Sequence, residues 1–135
     1  RYTVHETVTI ASMVEKETGV AHERPLISSV FHNRLKKKMR LESDPTVIYG
    51  IENFSGDLTK KHLRTPAPYN TYTIKGLPPG PIASPGKEAL RAAIFPAETQ
   101  YLFFVSKNDK THHFSTNYSD HVKAVKKYQL GRPGQ

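Results

Sequence analysis

Glu6-Thr7-Val8-Thr9-Ile10-Ala11-Ser12-Met13-Val14-Glu15-Lys16-Glu17-Thr18-Gly19 reads as an amphipathic helix over residues 6–18, led in by Thr3 to Thr7 and stopped by Gly19. On a wheel of about 100° per residue, Ile10, Met13 and Val14 surround Glu17, while Thr9, Ser12 and Lys16 take the opposite side. Glu15 falls at the edge, beside Val8 and Ala11. A carboxylate inside an apolar face is costly when ionised, so it is either paired with a cation or holds its proton towards neutral pH. A proton held there is what a general acid needs. Two readings of Glu17 follow: a catalytic acid, or a structural glutamate paired with one of the many Lys and Arg residues.

Outward from this helix the signals alternate between short helices and turns. Pro25 suits a first helical turn, and Leu26, Ile27, Val30, Phe31 and Leu35 recur at helical spacing up to the Lys36–Lys38 run. Met39-Arg40-Leu41 reads as an extended step, and Asp44-Pro45 as an N-cap and first-turn proline of a short helix ended by Gly50. A further short helix is expected over residues 57–64. Between Thr65 and Gly86 the density of proline and glycine allows no long regular element and predicts a stiff loop. Ser84-Pro85 then caps a helix over residues 87–94, halted at Pro96. Tyr101–Val105 and Thr111–Ser115 read as strands of a hairpin turning at Lys107–Lys110, and a last helix starts near Ser119 or Asp120, with Val122, Val125 and Tyr128 on one face. The expected class is α+β: several helices packed with a small antiparallel hairpin and a long Pro/Gly-rich loop, in one domain over residues 1–135.

Twenty Lys and Arg against twelve acidic residues give a net charge of +8, which favours an anionic partner: nucleic acid, membrane headgroups or a cell-wall polymer. The absence of cysteine excludes disulfides, thiolate metal sites and a cysteine nucleophile. No apolar run is long enough for a membrane span, and the start at Arg1-Tyr2-Thr3 reads as a piece of a longer protein whose anchor or export signal would lie upstream.

Tyr69-Asn70-Thr71-Tyr72 places aromatic rings and polar groups on the stiff loop, a combination suited to stacking on pyranose rings and satisfying their hydroxyls. Tyrosines packed inward on a structural loop would give the same pattern. Adjacent His112 and His113 point to opposite faces of a strand and cannot easily share a metal ion, so core or supporting roles are expected for them and for His121. Asn53-Phe54-Ser55 and Asn117-Tyr118-Ser119 match a glycosylation tripeptide too short to carry weight. Asp44 is the one acidic residue to pair with Glu17 as a second carboxylate, though helix capping also explains it. No nucleic-acid-binding module is recognisable, and only the charge and the tyrosines support that class.

Taken in order, Ala11 to Thr18, Val30-Phe31-His32-Asn33-Arg34-Leu35, Met39 to Gly50, Tyr69 to Tyr72, Gly76-Leu77-Pro78-Pro79-Gly80-Pro81-Ile82 and the late His113-Phe114 with His121 resemble the YceG-like family. The resemblance implies a bacterial enzyme that cuts peptidoglycan glycan strands internally, without water, leaving 1,6-anhydro-N-acetylmuramic acid ends. It implies a catalytic part of a protein anchored by an N-terminal transmembrane helix and carrying a LysM-like subdomain, facing the periplasm or the outer wall. It makes Glu17, second glutamate of Glu-Lys-Glu-Thr, the catalytic acid, with Glu15, Asn33, Ser43, Asp44, Tyr69, Asn70, Thr71 and Tyr72 expected to bind substrate. Glu42 departs from the Gln of a relative. No metal or cofactor is implied, the partner is the glycan strand, and a peptidoglycan synthase is an admissible companion. A noncatalytic peptidoglycan-binding module and a basic nucleic-acid binder are the readings from other classes.

Overall fold

A computed structural model describes residues 1–130. Helix α1 (Val4–Glu17) begins earlier than the apolar pattern suggests because Thr3 and Glu6 form a reciprocal capping box. Its middle is buried all round: Thr9 and Ser12 are as inaccessible as Ile10, Met13 and Val14. The expectation that Thr9 and Ser12 face away from the core is therefore corrected. Their hydroxyls donate to the helix's own carbonyls, Thr9 to His5 at 2.8 Å and Ser12 to Thr9 at 2.7 Å, so neither is left unsatisfied by burial. The Ser12 oxygen also accepts the Ile82 N–H at 3.0 Å, tying the proline-rich loop onto the helix.

A 3-10 turn (Ala21–Glu23) leads into α2 (Arg24–Lys36), with Pro25 in its first turn as expected. Helix α3 (Asp44–Tyr49) has Ser43, not Asp44, at its N-cap position. Helix α4 (Lys60–Arg64) is shorter than the 57–64 pattern, because Thr59 and His62 form the capping box that sets its start. Helix α5 (Lys87–Ile94) is not capped by Ser84; its N-cap is Gly86, which has no side chain to offer. Strands β1 (Phe103–Ser106) and β2 (His112–Ser115) pair antiparallel with Phe104 opposite Phe114 and Ser106 opposite His112. Helix α6 (Tyr118–Val125), capped by Asn117, runs into a π-helical turn, Lys126–Leu130. The class is α+β.

Helices α1, α2 and α5 pack on one another to form the core, in which Ile10, Met13, Ile27 and Phe31 meet the small face of α5. Ala89, Ala92 and Ala93 make that face, and their lack of bulk lets α5 lie close against α1. Phe31 reaches the hairpin by an edge-on contact with Phe104, ring centroids 6.0 Å apart. Among the described residues no helix is long and apolar enough to cross a membrane.

Candidate active site

Glu17 is the last residue of α1, and its carboxylate enters a cleft of about 490 Å³. Glu42, Asp44 and Tyr72 line one wall; Phe104, His112 and His121, from the hairpin and α6, line the other. Burial pushes the Glu17 carboxyl up to about 7, the hydrogen bond from Ser43 pulls it back in part, and the charge of Asp44 pushes it further up. No cation pairs with it among the described residues, which removes the structural ion-pair reading of this side chain.

Ser43 donates from Oγ to Glu17 Oε2 at 3.0 Å. A closed ring of hydrogen bonds holds that serine. Its N–H donates to Thr71 Oγ1 at 2.8 Å, the Thr71 and Thr46 hydroxyls meet at 2.9 Å, and Thr46 donates to the Ser43 carbonyl at 2.7 Å. Since Thr46 gives its proton to Ser43, the Thr71 hydroxyl must donate to Thr46, and every bond in the ring has one direction. Ser43, Thr46 and Thr71 are all buried. The hydroxyl that would ordinarily cap α3 is thus turned to Glu17, and Asp44, one residue on, is free of capping duty. The Asp44 cap expected from the sequence is corrected accordingly. Asp44 Oδ1 instead accepts the Tyr72 hydroxyl at 2.5 Å. Burial, and then the Asp44 carboxylate beside it, raises the Tyr72 phenol well above its usual range, so it remains a donor.

Of the expected substrate-binding residues, Ser43, Asp44 and Tyr72 join Glu17; the others do not. Glu15 projects to α5, where Oε1 accepts the Gly86 N–H at 2.7 Å and supplies the cap that Gly86 lacks. Asn33 clamps the segment before β1, donating to the carbonyls of Thr99 at 3.0 Å and Tyr101 at 2.8 Å. Tyr69 packs on the core and against Tyr49, ring centroids 4.9 Å apart. Asn70, 2 % exposed, donates to the carbonyls of Leu63 at 3.0 Å and Thr65 at 2.8 Å and accepts the Tyr72 N–H at 2.9 Å. Asn70 and Thr71 are scaffolding that presents Tyr72 and Ser43, and the expectation that their side chains line the groove is corrected: the loop's backbone carbonyls and the Ser43 N–H need partners, and these two side chains are the ones in reach.

Three features escaped sequence reasoning. Arg34 is buried, donating to the carbonyls of Leu102 at 2.6 Å and Arg40 at 2.7 Å and lying over Phe103. Glu23 is 3 % exposed and bound to His112. His121 stacks on Phe103 at 4.8 Å, and burial followed by the nearby Arg34 charge keeps its ring below the usual histidine range. Each depends on a partner far away in the chain, and local periodicity carries no sign of it. His112 and His113 do part, as alternation predicts: His112 lines the Glu17 cleft and His113 a separate groove with Tyr101 and Tyr128.

The model of the YceG-like family matches residues 1–127. The chain belongs to the YceG-like family. An endolytic murein transglycosylase of Bacillus subtilis is 42% identical, the match covering 95% of this chain and 36% of that protein. An endolytic murein transglycosylase of Streptococcus pneumoniae is 33% identical, covering 91% of this chain and 23% of that protein. The crystal structure of a yceG-like protein from Listeria monocytogenes superposes with a TM-score of 0.84 at 41% identity, over 90% of this chain and 40% of that one. The YceG-like chain described here therefore spans about a third or less of the curated relatives it matches.

Proposed function

We propose that this chain is the catalytic part of an endolytic peptidoglycan lytic transglycosylase with Glu17 as its single general acid and base. The observation that carries the reading is the Glu17 carboxyl, raised to about 7 by burial at the head of an open cleft. Protonated, it donates to the glycosidic oxygen between N-acetylmuramic acid and N-acetylglucosamine as the bond from C1 to that oxygen breaks. The resulting carboxylate accepts the proton of the muramoyl 6-hydroxyl as O6 bonds to C1, closing the 1,6-anhydro ring and restoring the acid. Ser43 orients the carboxyl in the first step and donates to the carboxylate that forms in it. The net charge of +8 suits a polymer bearing lactyl and stem-peptide carboxylates. On this reading the domain faces the periplasm or outer wall, with a membrane anchor elsewhere in the protein and a peptidoglycan synthase as its companion.

A second reading has one observation in its favour. Asp44 lines the same cleft as Glu17, and two carboxyl groups flanking a glycosidic bond are the equipment of a hydrolase. Digestion of purified murein in ¹⁸O-labelled water, read by mass spectrometry, tests both. Unlabelled muramic acid ends lighter by one water support the lytic reaction; labelled reducing ends make the enzyme a hydrolase with Asp44 as base or nucleophile. Unchanged murein under all conditions leaves a noncatalytic binding module.

A further inference from the structure

Across the cleft from Glu17, a buried carboxylate holds a histidine by two atoms. Glu23 Oε2 accepts the His112 backbone N–H at 2.8 Å, and Oε1 meets His112 Nδ1 at 2.8 Å. Glu23 is 3 % exposed, at the end of the 3-10 turn before α2. A carboxylate offers only acceptors, so the hydrogen lies on Nδ1 and the tautomer is set. The Phe104 ring stands edge-on to the imidazole, centroids 5.4 Å apart and planes at 87°. Nε2 is left over. It has no partner among the described residues and is not sealed from solvent, and His112 lines the cleft that Glu17 enters. A structural tie between α2 and β2 would need the two Glu23 bonds; it would not need an unpartnered polar nitrogen on a residue that lines the same cleft as the acid.

We infer that His112 is a substrate-positioning residue whose Nε2 hydrogen-bonds a hydroxyl or the 2-acetamido group of the amino sugar held beside Glu17, and that Glu23 is the positioning residue that aims it. The inference rests on the glycan-cleaving reading above. With Nδ1–H directed to Glu23, a neutral His112 presents Nε2 as an acceptor. Glu23→Gln reverses this arrangement. The backbone N–H must still find the amide oxygen, so the amide NH₂ faces Nδ1, Nδ1 becomes the acceptor and the hydrogen moves to Nε2. The shape of the pair is kept while the polarity offered to the sugar is inverted.

The test measures murein turnover and imidazole ¹⁵N shifts in the full chain for the parent, Glu23→Gln and His112→Asn. His112→Asn keeps a donor for Glu23 but falls short of the Nε2 position, so it serves if Glu23→Gln does not fold. Expected are an Nδ1–H signature in the parent and Nε2–H in Glu23→Gln. Each variant should lose about tenfold to a hundredfold in kcat, the scale of a misplaced reactant, with a smaller change in KM, measured below its own melting temperature. Turnover within twofold of the parent in either folded variant overturns the inference and leaves the pair as a tie between elements. If the parent itself cleaves nothing, or cleaves without need of Glu17, the reading beneath it fails, and this result is distinct from a parent that cleaves while His112→Asn is unaffected.

Discussion

The two walls of the cleft are built by different physics. The wall beneath Glu17 is a hydrogen-bonded ring of Ser43, Thr46 and Thr71 backed by Asn70, all buried. The facing wall, β1, β2 and α6, is mostly half-buried and held by ring contacts such as Phe103 with His121 and Phe104 with Phe114, plus the Glu23 carboxylate. Directional bonds fix the acid to a few tenths of an ångström, whereas ring contacts tolerate small slides at little cost. Such a division would suit the proposed reaction, in which one proton is held still while a polymer is admitted along its length.

The strongest way to break the comparison is at its centre. Glu17→Gln keeps the shape and should lower murein cleavage by about 10²–10⁴-fold without unfolding the chain, as read by product analysis beside circular dichroism. Asn70→Ala strikes the rigid wall. It leaves two or more buried backbone groups without partners and should cost about 2–4 kcal/mol in urea unfolding, where an equivalent polar change on the hairpin's exposed edge would cost little.

The third prediction concerns pH. The folded Glu17 carboxyl holds its proton up to about 7, against 4.5 ordinarily, so between these values the folded chain binds more protons than the unfolded one. Its contribution to stability is full below about 4.5 and is lost as pH rises through about 7. Glu17→Gln should therefore unfold with a flatter pH dependence and gain on the parent above neutrality, by up to about 3 kcal/mol. Cleavage by the parent should fall over the same upper range as the acid ionises. Ser43→Ala, which removes the bond that lowers the Glu17 pKa, should move that limb upward, and Asp44→Asn should move it downward. The smallest effect is expected at Glu15→Gln, which retains an acceptor for the Gly86 N–H and should keep most activity while losing about 0.3–1 kcal/mol of charge–dipole stabilisation at the start of α5.

What could be read in the sequence was whatever depends on neighbours within a turn or two. Glu17 was recognisable because Ile10, Met13 and Val14 surround it on the same helix, and the hairpin and most helices because their periodicities are local. The cap of α5 was misassigned to Ser84 because the true acceptor, Glu15, lies 71 residues away. Asn70 suggested a sugar contact because an amide between tyrosines on a loop looks solvent-facing. Its burial follows from the carbonyls of residues 62, 63 and 65, whose positions are set only once α4 and the loop fold together.

Because Glu17 is the final residue of α1, it sits at the negative end of the helix macrodipole. A negative charge there is opposed by the backbone itself. That opposition has the same sign as burial, the main cause of the raised Glu17 pKa, and no side-chain substitution in the cleft removes it. Variants at Ser43 or Asp44 shift the balance around a value that burial sets first. Peptide dipoles, aligned by folding, would thus be a fixed part of the proposed proton transfer.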